Sequence, residues 1–365
     1  MNKGKINIVF LSDFPFSISF GGKEIQMQQY YKTLMQNYQD NINVKYLNYR
    51  ELDALNDVQI IHFFGYSNWY HDITKLMKTK HPNIKIVVSP TFYISNFVKY
   101  KLASVLFNKF SIPNFFSYKY DFFNEADLII CNSNAEKEQL KSIFSINNSG
   151  KIQIIPNAIE DNFNQIDDIE SGNIFLNEYG INSGYILSVS FLDERKNSIK
   201  LIEAYLSVAD TLNRKLVLIG MNRYVNQKNN KYVNELIKYN QDKIIHVDYL
   251  DRDSNILKSA YKNAALHILP SILETPGISN IEAAAFGLPI LVGKCKPVQE
   301  YFGNLAIFVD SNSEKDIADK LLKHFTDNNK DNLKNSKSLQ KEVLHKYTLK
   351  KVSEELFSKY TKLIE

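Results

Sequence analysis

The chain has 365 residues, 44% of them hydrophobic and 23% charged, with a net charge of +4 at pH 7. That length exceeds one ordinary core, so two domains of roughly 150 to 200 residues are expected, and a charge so small and scattered excludes nucleic acid as the expected partner. No apolar run of about 18 residues and no charged-then-apolar leader is seen, and Cys131 and Cys295 fit no metal or redox spacing, so a cytoplasmic protein with reduced thiols is expected.

In chain order, an apolar run at 6–11 is followed by Gly21-Gly22 and then by Met27, Tyr31 and Leu34 at helical spacing. A strand, a glycine turn and a helix are predicted there. Runs at 58–64, 84–88, 128–131 and 152–155 read as further strands. Their near-continuous apolar character suits a parallel sheet covered on both faces. The stretch 97–123 is dense in Phe and Tyr and carries Lys99, Lys101, Lys109 and Lys119 against Asp121. It reads as a packed helix pair with a snorkelling rim, or as a peripheral membrane contact. From 156 to 184 Asn, Asp, Ser and Gly cluster, which marks a domain boundary.

The second half repeats the style. Strands are predicted at 185–189, 216–219, 244–247, 265–269, 289–292 and 306–309, with Ile199, Ile202 and Tyr205 marking an intervening helix. A polar stretch, 327–341, precedes a last helix with Leu349, Val352, Leu356 and Leu363 on one face. Two doubly wound α/β domains with a cleft between them are expected.

The most informative stretch is 270–287. Glu274 and Glu282 stand at the two ends of a Thr-Pro-Gly-Ile-Ser-Asn turn that feeds an Ala-rich helix. A strand, a glycine turn and a helix N-terminus make an anion site, here with the amides of Gly277, Ile278 and Ser279. Acids on both sides suit a ligand with hydroxyls and phosphate, such as a nucleotide-activated sugar. A rival explanation exists for Glu282, because Ser279-Asn280-Ile281-Glu282 is also a capping box. Similarly, Leu192-Asp193-Glu194-Arg195-Lys196-Asn197 reads by itself as a solvated charge run beside a helix start.

Taken together, these segments resemble the retaining GT-B glycosyltransferases of family 4. Gly21-Gly22 with Glu24 is similar to that family's glycine loop, and 126–133 to its strand ending in a serine. Pro156-Asn157-Ala158 resembles its interdomain Pro-Asn-Gly, 185–197 its phosphate-binding strand and loop, and Glu274 to Glu282 its paired glutamates. His345-Lys346-Tyr347-Thr348 resembles the start of its last helix. The resemblance implies an acceptor-side domain at 1–160, a linker at 161–183, a donor-binding domain at 184–343 and a helix, 344–365, crossing back to the first domain.

It also implies residue roles. Glu274 would contact the transferred sugar, Lys196 the departing diphosphate and Glu282 the ribose. The base would lie near 246–250, with Tyr249 and Leu250. Gly21, Gly22, Gly277, Ile278 and Ser279 would offer amides to phosphate. Two departures stand out: Phe191 occupies the place of the family's arginine, with Arg195 as a candidate replacement, and no histidine stands at Ser89-Pro90-Thr91. His62 reads as a structural histidine ending another strand. No Asp-x-Asp follows a strand, so neither metal nor another cofactor is expected. The expected activity is metal-independent hexosyl transfer from a nucleotide diphosphate sugar to a saccharide or lipid-linked acceptor, at the inner membrane face if 97–123 makes contact. The alternative is a non-catalytic homologue that binds sugar nucleotides or scaffolds a glycan assembly complex.

Overall fold

The structure is a computed structural model describing residues 4–13, 21–48, 51, 54–110, 112–146, 148, 150–166, 168–326 and 330–365. The chain divides into two compact units, 1–158 with 349–365, and 159–348.

The first unit is a six-stranded parallel sheet made of β1 (Ile6–Ser12), β2 (Ile42–Tyr46), β3 (Ile60–Phe64), β4 (Lys85–Ser89), β5 (Leu128–Cys131) and β6 (Ile152–Ile154). The strand order is β2-β1-β3-β4-β5-β6. Its helices are α1 (Gly22–Tyr38), α2 (Trp69–Lys80), α3 (Phe97–Phe110), α4 (Phe115–Glu125) and α5 (Asn134–Phe144). Alternate strand residues enter opposite cores: Val9 and Leu11 lie in one, Ile8 and Phe10 in the other. Both faces are therefore apolar, which is why the strands read as continuous runs. β2 was not predicted. It is an edge strand whose Ile42 and Val44 are buried while Lys45 and Tyr46 face out, so it lacks such a run. In α1 the core residues are Met27, Tyr30 and Leu34, while Tyr31 stacks on Tyr46 at 4.8 Å.

The second unit holds β7 (Tyr185–Val189), β8 (Leu216–Ile219), β9 (Ile244–Val247), β10 (Ala264–Leu269), β11 (Ile290–Gly293) and β12 (Ile307–Val309), ordered β12-β11-β10-β7-β8-β9 and all parallel. Its helices are α6 (Ile169–Tyr179), α7 (Ser198–Leu212), α8 (Gln227–Tyr239), α9 (Asn255–Asn263), α10 (Ile278–Ala285), α11 (Lys296–Phe302), α12 (Glu314–Thr326) and α13 (Lys330–Lys346). Tyr185 and Leu187 enter one core, and Ile186 the other.

Two polar stretches carry more structure than their composition suggests. The expected linker 161–183 holds α6, capped by Asp168, whose carboxylate accepts the Ser171 amide at 2.6 Å. The helix joins the second unit because the buried Ser259 hydroxyl, accepting from Phe175 N (3.1 Å) and donating to Gly172 O (2.9 Å), ties it to α9. The polar 327–341 contains most of α13, which buries Leu339 and Val343; residues 327–329 lie outside the described residues.

Helix α14 (Leu349–Ile364) belongs to the first unit and starts later than the expected 344. Its Leu349, Val352, Leu356 and Tyr360 pack with Met27, Tyr30 and Leu34, and Tyr38 stacks on Phe357 at 4.2 Å.

Candidate functional site

In the second sheet β7 is flanked by β8 on one side and β10 on the other, so the winding direction reverses between β7 and β10. Ligands of open α/β sheets bind outside the strand ends at such a reversal. The two loops leaving that point, 190–197 and 270–277, carry Lys196 and Glu274.

The loops are stitched together by backbone and amide groups. Asp193 accepts the Lys196 amide at 2.7 Å, and Ile272 N donates to Arg195 O at 2.9 Å. Buried Asn197 donates to Pro270 O (3.2 Å) and Ser311 O (2.7 Å). Glu274 and Lys196 are thereby held in direct contact, Nζ against Oε2, with both side chains buried. Arg195 Nη1 stands 3.4 Å from both carboxylate oxygens and 3.2 Å from Leu273 O. Ser271 Oγ donates at 3.3 Å. Burial raises the Glu274 pKa, but Lys196 and then Arg195 outweigh it and hold the group at about 2. At neutral pH Glu274 is a carboxylate and cannot serve as a general acid.

Gly277 is the N-cap of α10, at φ 87°. A Cβ here would lie 2.9 Å from Asn280 Nδ2 and 3.0 Å from Glu274 Cγ, so only glycine fits both the backbone and the space. As a helix start predicts, the amides of Gly277, Ile278 and Ser279 donate to no acceptor among the described residues.

The cap at Gly277 removes the capping-box reading, because Ser279 lies inside the helix. Glu282 instead accepts from Arg252 Nε (2.7 Å) through Oε1 and from Tyr261 OH (2.7 Å) through Oε2. Those bonds use two of a carboxylate's roughly four acceptor positions. Arg252 and Tyr261 were not foreseen: Asp251-Arg252-Asp253 looks like a solvated turn, and nothing in the local sequence joins it to residue 282. Arg252 Nη2 is buried without a hydrogen-bond partner among the described residues. Tyr249 and Leu250 follow β9 at the same sheet edge, Tyr249 exposed and Leu250 packed against the core. Among the described residues no hydrogen bond or ion pair joins them to Glu274, Lys196 or Arg195.

Within the first unit, Gly21 donates its amide to Glu24 Oε2 at 3.0 Å, closing the start of α1. Glu24 thus takes up the Gly21 amide, whereas the Gly22 amide donates to no acceptor among the described residues. His62 is fully buried in the middle of β3, not at its end, with Nδ1 2.6 Å from Tyr360 OH and Nε2 2.8 Å from Ser89 Oγ. Burial pushes its pKa down to about 3. It is a structural histidine.

The aromatic stretch forms α3 and α4; residue 111 within it lies outside the described residues. Ala103, Phe116, Phe122 and Phe123 face the core, while Val98, Leu102, Val105, Phe110 and Ile112 are exposed. Packing and an outward apolar row therefore coexist. Among the described residues no helix is long and apolar enough to cross a membrane, and no His, Cys, Asp and Glu side chains gather as a metal-ligand group.

Residues 176–341 match the family described as Glycosyl transferases group 1, and 30–163 match Glycosyltransferase Family 4. No curated protein matches in sequence. Among solved structures, Anabaena HepE in complex with UDP-glucose is similar over 98% of this chain and 100% of its own, with 13% identity and a TM-score of 0.73. Sucrose-phosphate synthase from Thermosynechococcus elongatus is similar over 98% and 99%, with 15% identity and a TM-score of 0.74. WaaG, a glycosyltransferase involved in lipopolysaccharide biosynthesis, is similar over 98% and 100%, with 15% identity and a TM-score of 0.68. At these identities the likeness is one of fold.

Proposed function

Because the chain belongs to the GT-B glycosyltransferases of family 4 type, we propose that it transfers a hexose with retention from a nucleotide diphosphate sugar to a glycan or lipid-linked saccharide, in cell-surface polysaccharide or glycoconjugate synthesis. One observation carries this reading: the buried Lys196–Glu274 pair beside the free amides of Gly277, Ile278 and Ser279, at the sheet reversal. The diphosphate lies against Lys196 and those amides, which stabilise the charge that grows as the donor bond breaks. The sugar meets the Glu274 carboxylate, which accepts its hydroxyls and offsets positive charge at the anomeric carbon. Glu282 takes the ribose with its remaining acceptor positions, and the base lies near Tyr249 and Leu250. The reading assigns no metal ion to the phosphates. The protein works at the cytoplasmic membrane face, with the outward row of α3 touching lipid.

A thermal-shift panel of UDP, GDP, ADP and CMP sugars identifies the donor, with UDP-glucose tried first because the Anabaena structure holds it. With that donor, Glu274→Ala and Lys196→Ala each lower transfer at least about a hundredfold, and EDTA leaves the wild-type rate unchanged. Near wild-type turnover in both variants overturns the assignment. Tight donor binding with neither transfer nor slow hydrolysis identifies a non-catalytic sugar-nucleotide binder instead.

A further inference from the structure

The cations around Glu274 are largely committed. Lys196 touches its carboxylate, Arg195 spans both oxygens, and Arg252 is bound to Glu282. Two cations on one carboxylate leave a net charge of about one against a diphosphate carrying two or more. A further cation is needed nearby, and the adjoining loop holds one.

The loop after β8 is zipped to the loop after β7. Leu192 N donates to Met221 O at 2.9 Å, and Arg223 N donates to Leu192 O at 2.8 Å. Gly220, at φ 145°, makes the approach feasible, since a Cβ there would sit 2.0 Å from Ser190 O. The zipper brings the Arg223 guanidinium over the Phe191 ring, Cζ 3.5 Å from the ring centroid. A stacked guanidinium keeps its edge donors available while its plane is fixed. Among the described residues Arg223 has no carboxylate within ion-pair distance and no side-chain hydrogen bond, so those donors are uncommitted. Phe191 opens the same short loop that ends in Lys196.

We propose that Arg223, oriented by Phe191, is a diphosphate-binding residue of the donor site, acting with Lys196 from the neighbouring loop. The inference rests on the donor-binding reading above and adds a charge source that the reading lacked. Phe191 acts as a positioning residue: it touches no substrate and fixes the plane of the guanidinium.

Calorimetric titration of the full chain with UDP and GDP, each against its nucleoside, isolates the phosphate contribution. Arg223→Ala weakens the diphosphate that wild type binds about tenfold or more, leaves its nucleoside unchanged, and Arg223→Lys recovers part of the loss. Phe191→Ala moves the same ratio in the same direction, and Phe191→Tyr keeps it. Arg214, stacked on Phe325 at 4.7 Å and bonded to Gly184 O at the opposite strand ends, is the control, and Arg214→Ala leaves both ligands alone. Wild-type binding with an unchanged Arg223→Ala ratio, or equal loss of nucleoside and diphosphate, overturns the Arg223 assignment while sparing the donor reading. Absence of diphosphate binding by wild type overturns both.

Discussion

Glu274 and Glu282 look alike in the sequence, yet the fold uses them differently. Glu274 is held ionised by a lysine and an arginine from one adjoining loop, and that loop announces itself by its run of charges. Glu282 is gripped by Arg252 and Tyr261, which lie 30 and 21 positions away, and no local motif reveals them. The capping box at Ser279 was legible but not used, because Gly277 takes the cap with a backbone conformation that serine would resist. The two readings separate by stability. Ser279→Ala leaves the urea midpoint near wild type, whereas Glu282→Ala strands the Arg252 charge and lowers stability by about 3 kcal/mol. A comparable loss in both variants, measured by equilibrium unfolding, would restore the capping role.

At the scale of elements, strands buried on both faces were readable because nearly every position is apolar, and most of those boundaries agree within a residue or two. β2 and α13 were not, for one reason: each buries only a narrow stripe of residues within a polar segment, Ile42 and Val44 in β2 and Leu339 and Val343 in α13. α3 is the converse, with Val98, Leu102 and Val105 spaced along one exposed side beside Lys99, Lys101 and Lys109. An apolar row flanked by lysines suits the surface of an anionic bilayer. Sedimentation with phosphatidylglycerol vesicles is expected to carry down the wild-type chain, and the triple change Val98→Ser, Leu102→Ser, Val105→Ser to abolish it with the circular dichroism spectrum unchanged. Equal sedimentation of both proteins removes the membrane from the proposed function.

For the whole molecule, buried titratable groups set the pH response. Burial lowers His62 and His267 to about 3 and His324 to about 4. The unfolded chain therefore binds more protons below about pH 6.5, and stability falls as the pH drops through that range. Glu136 acts oppositely: burial raises it to about 7, so its contribution is greatest near pH 4.5 and is lost as the pH rises through 7. Burial raises Glu355 as well, and three histidines against these two carboxyls leave a net loss between pH 7 and 5. Glu274, held low, adds to the loss only below its usual value of 4.5. His62→Gln is expected to shrink the difference between denaturant midpoints at pH 7 and 5; an unchanged difference means that His62 titrates normally. His62 also leans on Tyr360, part of the helix that returns to the first unit. During synthesis, α1 and β3 emerge early, but the side chains that cover Tyr30, Leu34 and His62 arrive only after the whole second unit has been translated. Folding strictly from the N-terminus is closed to this chain. The unit made first is completed last, and until α14 emerges the apolar face it covers stays open.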